Sequence, residues 1–308
     1  MKGSNPMSTA APTNYPYAIP HEILLAFDPA DMNQKAMECS KSLARRFGSH
    51  VTIAHVSQPV SPIVTPEGMY FEDLDRSAAA ITDSQLDQAV EDLRASGLKA
   101  DRAEHWGLVT EELQSLAREK SADLLVLGTH APRGLDRLFF GSTAEDVADR
   151  SGWPVMIVGP NADMPSGAWA PKEVVCIVGQ SREDVSAAVY GYHLSREVGA
   201  AFTLFSITDK GSEIANPVDS EVFFRSLADQ LPGVNVSHEI PRREIRQGIA
   251  KDSVLRLLKA LQPGAVVMAA EHAGPLHSHF HRDLLSDVVG EAKCPIIVVA
   301  KDDQRAQG

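Results

Sequence analysis

The sequence is poor in cysteine, in aromatic residues and in long apolar runs. Its 308 residues include 6% aromatics and three cysteines, Cys39, Cys176 and Cys294. The cysteines lie far apart and lack the close spacing of a metal site, which indicates buried apolar side chains in a reducing compartment. We therefore expect a cytoplasmic location. No apolar run approaches the roughly 20 residues that span a bilayer, so the sequence predicts no role for a membrane.

Positive charge is also scarce. The chain has 29 Lys and Arg against 41 Asp and Glu, a net charge of −12. An acidic surface repels both nucleic-acid backbones and anionic membranes, so neither is expected as a partner. A local pocket for a phosphate is still compatible with this charge. The first 20 residues are rich in Pro, Ser, Ala and Asn and predict a poorly ordered tail.

The chain is a repeat of itself. The segment that starts at Glu22 aligns without a gap with the segment that starts at Glu173. Each runs from a strand pattern through a helical pattern that ends in glycine, Gly48 or Gly199, to a β-rich run. The later parts align at an offset that is shorter by ten residues. The first copy therefore carries about ten extra residues, in a Pro-rich stretch before a helix predicted to begin near Ala78.

In each copy, five strand patterns alternate with four helix patterns, which predicts an α/β fold. We expect two tandem doubly wound parallel five-stranded sheets with helices on both faces, in an order such as 3-2-1-4-5. The predicted organisation is a tail (1–20), a first domain (21–160), a linker (161–171) and a second domain (172–302).

The first copy has a candidate ligand crevice between strands one and four. These strands end at Asp28 and Gly128 and are neighbours in the 3-2-1-4-5 order. The chain leaves them in opposite directions, and ligands of open α/β sheets bind at such a switch point. The loop after Gly128 closes at Gly141 and Ser142, at the start of a helix. Because a helix N-terminus carries free N–H groups and partial positive charge, it attracts phosphate.

The stretch "GTHAPRGLDRLFFGSTAEDVADRSGWPVMIV" resembles the signature of the universal stress protein family, Gly-x-x-Gly, nine residues, then Gly-Ser or Gly-Thr. The resemblance covers residues 21–160 strongly and about 172–301 weakly. It implies the strand order 3-2-1-4-5 and the binding of ATP or AMP, with Mg²⁺ as a candidate companion ion. Many single-domain members of the family dimerise through their fifth strands.

The resemblance also implies a set of binding residues. Asp28 would meet the adenosine end of the nucleotide, Val56 would line the adenine pocket, and the helix start would bind the phosphates. The implied set is Ala26, Phe27, Asp28, Val56, Leu127, Gly128, Ala131, Arg133, Gly141, Ser142 and Thr143. One residue departs from the family pattern, because Ala131 stands where the second glycine is usual. If that position needs positive φ, Ala131 is strained by roughly 1 kcal/mol.

The second copy lacks these polar and glycine positions. At the places of Asp28, Gly128, Ala131, Gly134, Gly141 and Ser142 it has Gly179, Ala269, His272, Pro275, Arg282 and Asp283. We predict that this copy keeps the fold and binds no nucleotide. Asp283 would cap the last helix through its carboxylate and repel a phosphate there.

Two further features of the sequence allow alternatives. A run with alternating histidines, His272, His277, His279 and His281, could bind zinc or nickel if extended. Histidines on a polar loop are more often unliganded, so we predict no metal. Trp106, near the end of the third strand, is predicted to pack in the core, with the rim of the pocket as its alternative position.

The sequence favours a nucleotide-binding regulatory protein of the stress-response type, with a protein partner that it does not identify. A slow ATPase and a ligand-free scaffold are the alternatives; the loop has no Walker Lys-Ser/Thr pair for an ATPase, and Ala131 favours the scaffold. Both fifth strands are apolar edges that need a cover. We therefore predict that residues 154–158 lie against residues 295–299, as a pseudo-dimer within one chain. A homodimer is compatible with this arrangement and not required by it.

Overall fold

The structure is a computed structural model in which both halves of the chain alternate strand and helix. It describes residues 19–29, 34–58, 72–129, 142–178, 182–208, 217–231, 234–235, 243–247, 250–270 and 278–299. Within these ranges, no helix has both the length and the apolar character needed to cross a membrane.

The first half supplies strands β1 to β5 and the second half β6 to β10. The strands are β1 (Glu22–Ala26), β2 (His50–Ser57), β3 (Lys99–Trp106), β4 (Leu124–Gly128), β5 (Val155–Val158), β6 (Glu173–Val178), β7 (Ala201–Thr208), β8 (Arg243–Gln247), β9 (Ala265–Ala269) and β10 (Ile296–Val299). The central strands are buried runs rich in Val, Ile and Leu, as parallel strands covered on both faces should be.

Helices connect these strands. They are α1 (Gln34–Phe47), α2 (Glu72–Ala95), α3 (Val109–Glu119), α4 (Ser142–Arg150), α5 (Arg182–Val198), α6 (Pro217–Gln230), α7 (Ala250–Leu261) and α8 (Ser278–Glu291). As predicted, Gly48 and Gly199 follow α1 and α5 with φ of +72° and +73°, the left-handed conformation that ends helices. Helix α2 begins at Glu72, six residues before the predicted Ala78.

The strands form one ten-stranded sheet, in the order β3-β2-β1-β4-β5-β10-β9-β6-β7-β8. Each half has the predicted order 3-2-1-4-5, counted from its outer edge. The two five-stranded sheets are therefore joined into one. Their junction is the antiparallel pair β5 and β10, whereas the strand pairs inside each half are parallel.

The β5–β10 pair confirms the predicted contact between the fifth strands. Ile157 lies opposite Ile296, and Met156 lies opposite Ile297. All four side chains are buried. Each such side chain contributes about 1.5–3 kcal/mol by leaving water, so this short junction is a substantial part of the core.

Two layers of helices cover the sheet, one on each face. The first hydrophobic cluster holds residues of α1, α2, α5 and α6, and the second holds residues of α3, α4, α7 and α8. Each cluster contains residues of both halves, so the core is continuous across the β5–β10 junction.

The segment between β5 and β6, residues 159–172, is attached to the core at several positions, and we call it the strap. Trp169 is only 2% exposed, and its backbone N–H donates to the Ser42 carbonyl of α1 over 3.0 Å. The Lys35 ammonium donates to the Ala162 carbonyl over 2.9 Å. The predicted linker is therefore a packed connection rather than a free tether.

The strap also contacts the second half. The Asn161 side-chain amide donates to the Gly290 carbonyl of α8 over 2.6 Å. Gly159 lies so close to α8 that a Cβ there would overlap the Val289 carbonyl oxygen. Only glycine fits this approach without a shift of the backbone.

Candidate functional site

The candidate site lies where β1 and β4 end side by side. These strands are parallel neighbours, with Leu25 opposite Val126. After β1 the chain enters α1, whose buried residues belong to the first cluster; after β4 it enters α4, whose buried residues belong to the second. The chain thus leaves the two strands toward opposite faces, which is the geometry of a switch-point crevice.

The end of β1 contributes three of the predicted residues. Ala26 is half-buried and packs against the second cluster, whereas Phe27 packs against the first. Asp28 follows and is exposed. A carboxylate at this position faces solvent at the mouth of the crevice, where a ligand can reach it.

The end of β2 borders the crevice on the side of β1. Val56 is half-buried against the second cluster, so part of its surface is open. His55 lies 3.1 Å, through Nδ1, from the Phe27 carbonyl oxygen. This contact holds the backbone beside Asp28. This role of His55 was not predicted from the sequence, although the position of His55 at the end of a strand next to β1 indicates it.

The end of β4 borders the crevice on the other side. Leu127 is buried, and Gly128 is half-buried opposite Val158 of β5. The next residue, Thr129, donates its N–H to the Val158 carbonyl over 3.2 Å. The backbone is therefore tied to β5 where it leaves the sheet, and Gly128 puts no side chain at the crevice mouth.

The rest of the predicted site is described only in part. Helix α4 begins at Ser142, as predicted, and Thr143 lies in its first turn, but the side chains of both lie outside the described residues. Ala131, Arg133 and Gly141 also lie outside them. The structure therefore brings together Ala26, Phe27, Asp28, Val56, Leu127 and Gly128, with the start of α4 as the end of the connecting loop.

The matching region of the second half differs in the start of its last helix. Helix α8 begins at Ser278, five residues before the predicted cap Asp283. Asp283 is therefore inside the helix, and the prediction that it caps the N-terminus is wrong. The reason is local, because Arg282 replaces the glycine that could interrupt the helix and favours its continuation. The connection after β9 spans 270–277, against 129–141 in the first half.

The second half contains the buried Cys176 and the predicted histidine run. Burial and the nearby Asp184 carboxylate raise the pKa of the Cys176 thiol well above its usual value, so it stays protonated. His279 and His281 lie in the first turns of α8, where the backbone is helical rather than extended. The extended arrangement considered for metal binding is therefore wrong for this pair. The described residues contain no cluster of three or more metal-binding side chains.

The three cysteines are free and buried, as predicted. Burial raises the pKa of Cys294 to about 12 and raises that of Cys39 further. A thiolate is the reactive form, so these side chains are inert packing groups. Trp106 contradicts its prediction, because it is 65% exposed rather than part of the core.

Comparisons with known proteins agree with this geometry. Residues 20–159 match the family model of the universal stress protein family. Universal stress protein YxiE of Bacillus subtilis (strain 168) is 26% identical over 145 residues, which cover 45% of this chain and 98% of that protein. A universal stress protein encoded in the QAH/OAS sulfhydrylase 3′ region of Thermus aquaticus is 29% identical over 142 residues, covering 44% and 96%.

The solved structures include one that matches both halves. The crystal structure of a universal stress protein from Archaeoglobus fulgidus DSM 4304 covers 94% of this chain and 99% of its own, with a TM-score of 0.68 and 17% sequence identity. This likeness shows the fold. The family match itself covers residues 20–159, so it is the first half of the chain that is similar in sequence to the universal stress protein family.

Proposed function

We propose that the first half of the chain binds an adenine nucleotide, ATP or AMP, in the crevice between β1 and β4. The protein would act as a regulator of the stress response without catalysing a reaction of its own. The observation that carries this proposal is the switch point, where Asp28 follows the end of β1, Gly128 ends the neighbouring β4, and the chain leaves toward opposite faces.

The groups at the crevice suit the parts of a nucleotide. Val56 and Ala26 offer half-buried apolar surface for a base, and Asp28 offers a carboxylate for ribose hydroxyls. Phosphates would lie at the start of α4, where the first backbone N–H groups have no acceptor within the helix and Arg133 is near in sequence. Mg²⁺ would accompany ATP as a phosphate-bound ion.

We infer that the second half holds no nucleotide. Ala269 replaces Gly128 at the end of β9, and it is buried. Helix α8 starts upstream of the position at which α4 starts in the first half, so the connection that would wrap a phosphate is shorter. The proposal thus divides the chain into a binding domain (21–160), the linker (161–171) and a silent domain (172–302), in a cytoplasmic protein.

The test is isothermal titration calorimetry with ATP and with AMP, each with and without Mg²⁺. Gly141→Asp places a negative charge at the phosphate position and should abolish binding while the melting temperature is kept. Gly167→Asp is the matched control, because it adds the same side chain at an exposed strap glycine with open space around it. It should bind like the native chain.

Two outcomes would contradict the proposal. One is unchanged affinity in the Gly141→Asp variant, and the other is the absence of binding in the native chain. Release of phosphate from ATP during incubation for hours would show instead that the protein is a slow ATPase.

A further inference from the structure

The turn between β3 and α3 exposes two large apolar side chains. Trp106 is 65% exposed and Leu108 is 63% exposed, and one residue separates them. They lie at the sheet edge formed by the carboxyl ends of β2 and β3, since Trp106 is paired with Ser57 in the parallel register. Single exposed apolar residues are ordinary, but an exposed Trp beside an exposed Leu is a candidate contact surface.

The backbone holds this pair rigidly. The N–H of Gly107 donates to the Ser57 carbonyl over 3.0 Å, and the N–H of Glu112 donates to the Leu108 carbonyl over 2.9 Å. The Glu112 carboxylate also lies 2.7 Å from His105 Nδ1. A surface fixed before contact loses little conformational entropy when a partner binds.

Leu108 is a poor residue for its position. It is the N-cap of α3, with φ −77° and ψ 124°, and it makes no side-chain capping hydrogen bond. Ser, Thr, Asp or Asn would satisfy a free N–H there. Leu108 is therefore unfavourable for two reasons, because its side chain cannot form a capping hydrogen bond and because that apolar side chain is exposed to water. Such local conflicts are expected where a residue serves a function.

Acidic side chains are numerous on the elements near the pair, which are β3, α2 and α3. Arg102 lies 3.3 Å from each of Asp83, Asp87 and Glu104. His105, on the opposite face of β3, lies between the carboxylates of α3, Glu112 at 2.7 Å and Glu119 at 3.4 Å. Among the described residues, these five carboxylates meet one Arg, one His and Lys120, which lies 3.9 Å from Glu119, so negative charge is in surplus whichever charge the His carries.

We propose that Trp106 and Leu108 form a docking surface for a partner protein that presents an apolar side chain flanked by Lys or Arg. The basis of this proposal is charge complementarity, because the surplus carboxylates on β3, α2 and α3 attract the Lys or Arg side chains of such a segment. A second copy of this chain fits less well. In a twofold contact the same carboxylates would face each other, and the whole chain carries −12. The proposal does not depend on nucleotide binding.

The experiment uses the full chain and three short labelled peptides, one of Lys and Leu, one of Glu and Leu, and one of Lys and Ser. Fluorescence anisotropy should show binding of the Lys-Leu peptide, and the affinity of the other two peptides should be weaker by roughly tenfold or more. Trp106→Ser and Leu108→Ser should each raise the dissociation constant of the Lys-Leu peptide by about tenfold. Ile81→Ser and Val222→Ser are matched controls at exposed apolar positions and should leave it unchanged.

Stability separates loss of docking from loss of folding. Because Ser is a better N-cap than Leu, Leu108→Ser should keep or raise the melting temperature while it loses the peptide. Equal binding of the three peptides, or equal effects of the four substitutions, would overturn the proposal. So would a dimer seen by light scattering that disappears in Trp106→Ser, since the occupant would then be a second copy. A Trp106 shielded from acrylamide quenching in the free chain would also overturn it.

Discussion

Gly159 lies where β5 passes into the strap and against the second half of the chain. Because a Cβ at this position would overlap the Val289 carbonyl oxygen, Gly159→Ala must push the strap away from α8. We expect the free energy of unfolding to fall by about 1–3 kcal/mol, as in other overpacked sites. Urea denaturation followed by circular dichroism measures this change.

The control for this substitution is Gly167→Ala, in the same strap. A Cβ at Gly167 meets nothing within 4 Å. The substitution should leave the stability unchanged or raise it by about 0.4–1 kcal/mol, since alanine restricts the unfolded chain. Equal losses at both glycines would mean that the close approach to α8 does not exist in solution.

The locations of individual residues could be predicted from the sequence to different extents. Asp28 and Gly128 could be placed at one crevice, because the positions of strand ends in a parallel sheet follow from the strand order. The exposure of Trp106 could not be predicted, because its apolar character favoured burial, whereas its exposure depends on the sheet edge where β3 ends. Asp283 was misplaced because a good capping residue does not start a helix where the residues before it can also be helical.

At the scale of elements, a substitution in the strap tests whether the connection between the halves is part of the core. Trp169 is 2% exposed and lies with its ring centroid 6.4 Å from that of Phe47. Trp169→Ala should lower the free energy of unfolding by about 3–5 kcal/mol because it leaves a large cavity. The same substitution at exposed Trp106 should change stability by no more than about 0.5 kcal/mol. A small effect at Trp169, measured by urea denaturation, would show a loose tether.

The β5–β10 junction makes a second prediction for elements. Ile157 is fully buried opposite Ile296, so Ile157→Asp places a charge without a partner in the centre of the ten-stranded sheet. The loss should be about 4 kcal/mol or more, enough to unfold or separate the halves. Ile81→Asp, on the exposed side of α2, should cost less than about 0.5 kcal/mol. Differential scanning calorimetry compares the thermal stability of the two variants. An Ile157→Asp chain as stable as the native chain would contradict the buried β5–β10 pairing.

Most of the elements were predictable, and the exceptions have a common cause. The repeated alternation of strand and helix patterns indicates an α/β sheet in each half, and the family resemblance implies the strand order in which both apolar fifth strands are edges that pair. The early starts of α2 and α8 were missed because helix boundaries depend on caps and tertiary contacts more than on periodicity. The packing of the strap was missed because its composition is typical of a linker, whereas its contacts are long-range hydrogen bonds and one buried Trp.

At the scale of the whole molecule, the two halves form one continuous sheet and core but carry different residues at matching sequence positions. The antiparallel junction sets the carboxyl ends of the β1–β5 strands at one edge of the sheet and those of β6–β10 at the opposite edge. Each crevice is therefore built from its own half. This separation explains how the second half can lose its site residues while its strands still complete the core.

The most direct test of the account is the number of nucleotides bound by one chain. Native mass spectrometry or equilibrium dialysis of the full chain with saturating ATP, and again with AMP, counts them without assuming a binding model. The account predicts one nucleotide per chain, lost in Gly141→Asp and kept in Gly167→Asp. Two nucleotides per native chain, or one that survives Gly141→Asp, would contradict it.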